Sequence, residues 1–232
     1  MALRNALLSQ LPTNEVEAVT PLLTQIWLPA DTRLIAIEQR PEHVYFPGSA
    51  VISVITRGDN GRNCCVGLYG YEGFGSTCAL FGIPMSPAEE IVQSAGWSYC
   101  LSTNDLQGQF AILPGLRRRL HWYVHVFMMQ ISYTAFALAS TRIEQRLARW
   151  LLMYQDRTST SSLAITHQRL SDMLGVRRAG VTEAIHVLEG ERLLRGHRGL
   201  IDILDRPRLI ALTAGAYGAP EAEYVRMLQQ KG

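Results

Sequence analysis

The chain has 232 residues, of which 47% are hydrophobic, enough for one large domain or two small ones around a real core. The formal net charge is +2 and there are four cysteines, Cys64, Cys65, Cys78 and Cys100, with no CxxC pair and no histidine at zinc spacing. No apolar run approaches a bilayer span and no charged-then-apolar leader opens the text, so a cytosolic protein is expected.

From Leu3 to Leu28 the pattern reads as helical and punctuated. Asn5 to Leu11 makes one short turn, and after Pro12 a cap at Thr13 or Asn14 opens a second helix with acids in its first turn. Between Ala30 and Ser102 the period changes from 3.6 to 2. Short β-rich runs (Arg33 to Ile37, His43 to Phe46, Ala50 to Thr56, Asn63 to Leu68, Trp97 to Ser102) alternate with turn signals such as Pro47-Gly48 and Gly58-Asp59-Asn60-Gly61. Several short strands at near-regular spacing predict a sandwich or roll. A metalloenzyme on such a roll needs several histidines and a carboxylate on one ion, and His43 is the only histidine there. Neither a metal, a cofactor nor catalysis is expected. Cys64 and Cys65 are neighbours in one strand and point to opposite faces, so packing is the expected role of the thiols and an oxidation response the second.

At Leu113-Pro114 the pattern becomes helical again, to about Ser140. Leu120, Val124, Phe127, Ile131, Thr134 and Leu138 step by four and three, the seam of a two-stranded coiled coil, and this stripe is taken as a dimer interface. Trp122, Val126, Met129, Tyr133 and Phe136 repeat the steps on the opposite side and are assigned to the roll. A helix buried on all sides in a single-chain core is the alternative. His121 and His125 lie four apart, but no third metal ligand suggests itself, and Arg117 to Arg119 read as a solvated helix start.

A helix from Arg142 to Arg157 leads through the polar turn Thr158 to Ser162 into LAITHQRLSDMLGVRRAGVTEAIHVLEGERLL, residues 163–194. Leu170, Met173 and Leu174 follow a cap at Thr166; then comes Gly175; then Val181, Ala184, Ile185 and Leu188 form a second apolar face. Helix, glycine turn and helix is the helix-turn-helix arrangement, whose second helix enters the DNA major groove. An ordinary helix pair with solvated arginines is the bland alternative. The segment RLLRGHRGLIDILD then predicts a hairpin, a wing, with Arg195, His197 and Arg198 at the phosphate backbone. Between residues 142 and 210 there are 12 Arg and 8 Asp plus Glu, a net of +4, so positive charge is concentrated here. The tail after Gly215 holds a weakly specified helical pattern from Glu221 to Gln230.

This order resembles the Crp/Fnr family of bacterial transcription regulators over nearly the whole chain. The resemblance is carried by RIEQRLARWLL, ITHQRLSDMLGVRRAGVTEAI, the wing and HVYFPGSAVISV. It implies an α+β chain: an N-terminal antiparallel β-roll of the cyclic-nucleotide-binding type with N-terminal helices (1–112), a long dimerisation helix (113–141) and a C-terminal winged helix-turn-helix (142–232). It further implies a homodimer on an inverted-repeat site in double-stranded DNA, with RNA polymerase as a further partner. Implied DNA contacts are Thr166, His167 and Gln168 near the backbone, Arg177, Arg178, Gly180, Thr182, Glu183 and His186 on the second helix, and Arg195 and Arg198 in the wing. Arg178 matches the family arginine that contacts guanine, whereas Ala179 replaces a frequent glutamate and Glu183 a later arginine, so a different operator is expected. The family's cyclic-AMP cassette is Gly-Glu followed by Arg-Ser or Arg-Thr. Here the place reads Gly73-Phe74-Gly75-Ser76-Thr77, the arginine is missing, and Glu89 and Glu90 would repel a phosphate. Cyclic-AMP sensing is therefore not expected, although Gly73, Gly75, Ser76 and Thr77 remain an effector pocket for some other anion. No cysteine precedes Cys64 to hold the family's iron-sulfur cluster. A sensor that signals through protein contacts, with a degenerate DNA module, is the second reading.

Overall fold

The computed structural model describes residues 3–58, 63–158 and 160–229; the expected turn at Asp59-Asn60-Gly61 lies outside them. Asn5 opens helix α1 (Ala6–Ser9) by accepting from the N–H groups of Leu7 and Leu8. Its buried amide donates to the carbonyls of Pro47 and Gly73 at 2.9 and 2.8 Å, tying the helix to two loops. Helix α2 (Thr13–Val19) follows Pro12, which stands at the cap position, so neither Thr13 nor Asn14 caps it. The helical reading up to Leu28 also fails: Thr24–Leu28 is a strand, β1, rich in β-formers but too short for its period to show.

Strands β2 (Arg33–Ile35), β3 (His43–Pro47), β4 (Val51–Arg57) and β5 (Asn63–Tyr69) fall where expected to within two residues. Strand β6 (Glu89–Ser94) has no counterpart in the sequence reading, and β7 (Gly96–Ser102) completes the set. The strands form a three-stranded sheet in the order β1-β7-β3 and a four-stranded sheet in the order β2-β6-β4-β5. Core positions are supplied by Val44, Phe46, Ile52, Leu68, Phe74, Val92 and Leu101.

After α3 (Thr103–Ile112), capped by the Ser102 hydroxyl, comes the long helix α4 (Pro114–Ser140). Its first turn is closed by a residue far away in sequence. The buried carboxylate of Glu15 accepts from the N–H groups of Gly115 and Leu116 at 2.8 and 2.7 Å, placing negative charge where the helix dipole is positive. The remaining elements are α5 (Ile143–Arg157), β8 (Ser162–Ala164), α6 (His167–Leu174), α7 (Arg178–Gly190), β9 (Leu194–His197), β10 (Leu200–Ile203), α8 (Arg206–Leu212) and α9 (Ala219–Gln229). By contacts the chain divides into two compact units, one of Met1–Val54, Leu68–Phe127 and Met227–Gly232, the other of Ile55–Gly67 and Met128–Arg226.

Burial divides the stripe that the spacing assigns to a dimer interface. Leu120, Phe127 and Thr134 are buried within the chain itself, and the Thr134 hydroxyl lies 2.9 and 3.0 Å from the carbonyls of Gln130 and Val66. Val124 is half-buried, Ile131 and Leu138 are outward, and Met128 and Ala135 join them on the solvent face. Val124, Met128, Ile131, Ala135 and Leu138 also step by four and three, so spacing alone does not choose between stripes; burial does.

Candidate nucleic-acid interface

Helix α6 begins at Thr166, whose hydroxyl oxygen accepts from the Arg169 N–H at 3.2 Å, and ends at Gly175, which takes the left-handed conformation at φ 64°. The Ser171 hydroxyl donates to the Val176 carbonyl at 2.7 Å and holds the turn. Leu170, Met173 and Leu174 of α6 are buried, as are Val181, Ala184, Ile185 and Leu188 of α7, so the pair is fixed by its apolar faces. Arg177 stands at the cap of α7 and Arg178 is its first residue, both exposed. The opposite, open face of α7 presents Arg178, Ala179, Thr182, Glu183, His186 and Val187.

The expected contact residues are not equivalent in this geometry. The Thr182 hydroxyl donates to the Arg178 carbonyl at 3.1 Å, and His167 Nδ1 lies 3.0 Å from the Thr182 hydroxyl oxygen, so with its proton already spent that oxygen accepts from the imidazole. Gln168 donates to Asp172 at 3.0 Å. Gly180 is half-buried, and a Cβ there would lie 3.2 Å from Ile143 Cδ1. Arg177, Arg178, Glu183 and His186 make no side-chain hydrogen bond or ion pair with the described residues.

The wing is a three-stranded sheet in the order β8-β10-β9, with β8 unanticipated because three residues carry no period. Leu200 pairs with His197 across a turn of Arg198 and Gly199, which puts the Arg198 guanidinium at an exposed tip. Glu189 of α7 accepts from the Gly196 N–H at 2.7 Å and fixes the wing to the second helix. Asp202 accepts from the Ser162 hydroxyl and stands 3.1 Å from His197 Nε2; the Ser162 bond, then the histidine, hold its carboxyl below the usual range. Nothing in the sequence flags this trio, whose members are up to 40 residues apart. Behind the module, Arg149 is buried and donates to the carbonyls of Ala216 and Gln130 at 2.8 and 3.1 Å; burial lowers its pKa to about 10. Arg206 donates to Gln155, Asp156 and Tyr217, clamping α8 on α5.

In the roll, the residues proposed as an effector pocket are brought together but are already engaged. Ser76, in the left-handed region at φ 55°, donates its N–H to Glu90 Oε1 at 2.7 Å, and Tyr69 donates its hydroxyl to Glu90 Oε2 at 2.7 Å. Gly75 is needed here, since a Cβ would lie 1.9 Å from the Tyr69 oxygen, and Gly73 lies under the Tyr123 ring. Thr77 only begins a 3-10 turn, Thr77–Phe81. Burial pushes the Glu90 carboxyl up, while the Ser76 and Tyr69 bonds hold it down. Burial also raises Tyr45 to about 12 and Cys100 to about 11, which keeps both neutral at physiological pH. Among the described residues no three His, Cys, Asp or Glu side chains converge as a metal site, and no helix is long and apolar enough to cross a membrane.

Compared with curated protein sequences, the chain matched none. Residues 145–212 match the Crp-like helix-turn-helix domain. Among solved structures, the c-di-GMP-responsive global regulator CLP of Xanthomonas campestris is 16% identical with a TM-score of 0.70, covering 84% of this chain and 100% of its own. FixK2 of Bradyrhizobium japonicum is 17% identical with a TM-score of 0.71, over 84% and 99% of the two chains. A Crp/Fnr-family transcriptional regulator of Thermus thermophilus is 20% identical with a TM-score of 0.69, over 84% and 100%. The chain thus carries a Crp-like helix-turn-helix domain on the fold of the Crp/Fnr transcription regulators.

Proposed function

We propose that this protein is a homodimeric, sequence-specific DNA-binding transcription regulator that does not respond to cyclic AMP. The observation that carries the reading is the exposed stripe of α7, whose polar groups at Arg178, Glu183 and His186 have no partner among the described residues, with the exposed Arg198 tip of the wing in the same module. A guanidinium in the first turn of such a helix matches the O6/N7 pair of guanine, and a wing arginine matches a phosphate. Dimerisation is supported by the apolar face of α4 at Val124, Met128, Ile131, Ala135 and Leu138. Two modules one helical turn of DNA apart, about 34 Å, then require an inverted-repeat site.

The absence of a cyclic-phosphate response is supported by Glu90, a carboxylate held on the Ser76 N–H that an anionic ligand would need. The reading contains no catalytic step and no cofactor, and it places the protein in the cytoplasm with DNA and RNA polymerase as partners. A gel shift with DNA from its own promoter region, repeated on unrelated duplex at two salt concentrations, tests it. Tighter binding to the former supports the reading. An intact dimer that binds neither would favour a sensor acting through protein contacts.

A further inference from the structure

Glu183 is out of place on a surface meant for DNA. It is exposed on α7, in the stripe formed by Arg178, Ala179, Thr182, His186 and Val187, and its carboxylate meets no cation among the described residues. Thr182 on the same stripe is engaged by Arg178 and His167, so the free hydrogen-bonding groups on this face are Arg178, Glu183 and His186. A bare carboxylate brought to the phosphate-lined groove is repelled, and the repulsion is offset only where a base edge offers it a donor.

The groove edges restrict which base that is. Guanine presents two acceptors, and thymine an acceptor and a methyl group. Adenine presents a donor beside the N7 acceptor, and cytosine an amino donor with no neighbouring acceptor. A carboxylate is therefore repelled by guanine and thymine, half-satisfied by adenine and matched by cytosine. Position on the helix sets where that base lies. Glu183 is five residues beyond Arg178, about 7.5 Å along the axis and about 140° around it. The two side chains thus flank the middle of the stripe, about two base pairs apart at 3.4 Å per step for a helix that follows the groove.

Resting on the DNA-binding reading above, we propose that Glu183 is a specificity-determining residue that accepts a hydrogen bond from the N4 amino group of a cytosine, about two base pairs from the base read by Arg178. It acts as much by rejecting the other bases as by attracting this one.

The test is selection from a duplex pool randomised over about two helical turns, using the full-length wild-type protein and the Glu183→Ala and Glu183→Gln variants. Both substitutions lie on the exposed face and leave the apolar face of α7 intact. In the wild type, one position in each half-site is expected to hold cytosine, preferred about 5- to 150-fold over guanine or thymine. Glu183→Ala abolishes that preference, leaves the other positions unchanged and tightens binding to random DNA. Glu183→Gln shifts the preference towards adenine, to which an amide bonds in two places. The proposal is overturned if the wild-type and Ala variants select the same sequences, or if removing the carboxylate tightens binding to every sequence by one factor. A wild-type protein that enriches no sequence at all would overturn the DNA-binding reading itself.

Discussion

Glu90→Ala removes the one acceptor shared by the Ser76 N–H and the Tyr69 hydroxyl, which donate to it at 2.7 Å each. Both donors are buried, and a buried donor left without a partner costs about 1–3 kcal/mol. Against that total, the variant no longer buries a carboxylate whose pKa is raised chiefly by burial, so part of the cost is returned. A net loss of about 2–3 kcal/mol is expected in urea denaturation, with no change in m. The vacated space has the shape of acetate, since Glu and Ala side chains differ by that fragment. Acetate at about ten times its Kd should return about 1.4 kcal/mol to Glu90→Ala and nothing to the wild type, with chloride at equal ionic strength as control. If acetate stabilises both proteins equally, or if Glu90→Ala is as stable as the wild type, the roll is not closed by its own carboxylate. The pH dependence follows from the same group. Its folded pKa lies above the unfolded 4.5, so its contribution is greatest below 4.5 and is lost as pH rises through the folded value. The stability of wild type relative to Glu90→Gln should therefore rise as pH is lowered through that raised value, and level off below 4.5.

Glu15→Ala leaves the N–H groups of Gly115 and Leu116 without their charged acceptor, and should cost about 3 kcal/mol in denaturant unfolding; a loss under about 1 kcal/mol would mean that water replaces it. Arg178→Ala should weaken binding to the selected operator by about 1–3 kcal/mol and relax preference at one base pair, whereas an equal loss on random duplex would make it a phosphate contact. Arg198→Ala should weaken all sequences alike and reduce the slope of log K against log salt by about 1; a sequence-dependent effect would refute its backbone role. Met128→Glu places like charges across a two-fold seam on a residue 61% exposed in the single chain, so folding is spared while the dimer Kd rises about 100-fold or more in sedimentation. An unchanged dimer would put the seam elsewhere.

The helix-turn-helix was legible because each of its signals is local. Thr166 caps, Gly175 turns, and two apolar stripes at helical spacing face each other, so neighbours in sequence carry the information. Strand β6 was hidden for the opposite reason. Its text, EEIVQS, places Glu89, Glu90 and Gln93 in the interior, and what makes Glu90 tolerable there is Ser76 and Tyr69, 14 and 21 residues away. A hydrophobic period cannot announce a strand whose inward residues are carboxylates. The same limit made Ser76 look like a free anion donor. In α4 the spacing could not choose a face, because two stripes in the same 4-3 steps share the helix and only burial separates Leu120, Phe127 and Thr134 from Met128 and Ala135. Glu183 was visible as a departure from the resemblance, but its want of a partner was not.

The most direct measurement of the central claim is the symmetry and stoichiometry of the protein on DNA selected from a random pool. Two chains should bind each enriched duplex, and the enriched sequence should be an inverted repeat whose half-sites are centred about 10–10.5 base pairs apart. A single chain per duplex, or an enriched site with no two-fold relation between its halves, would contradict the account.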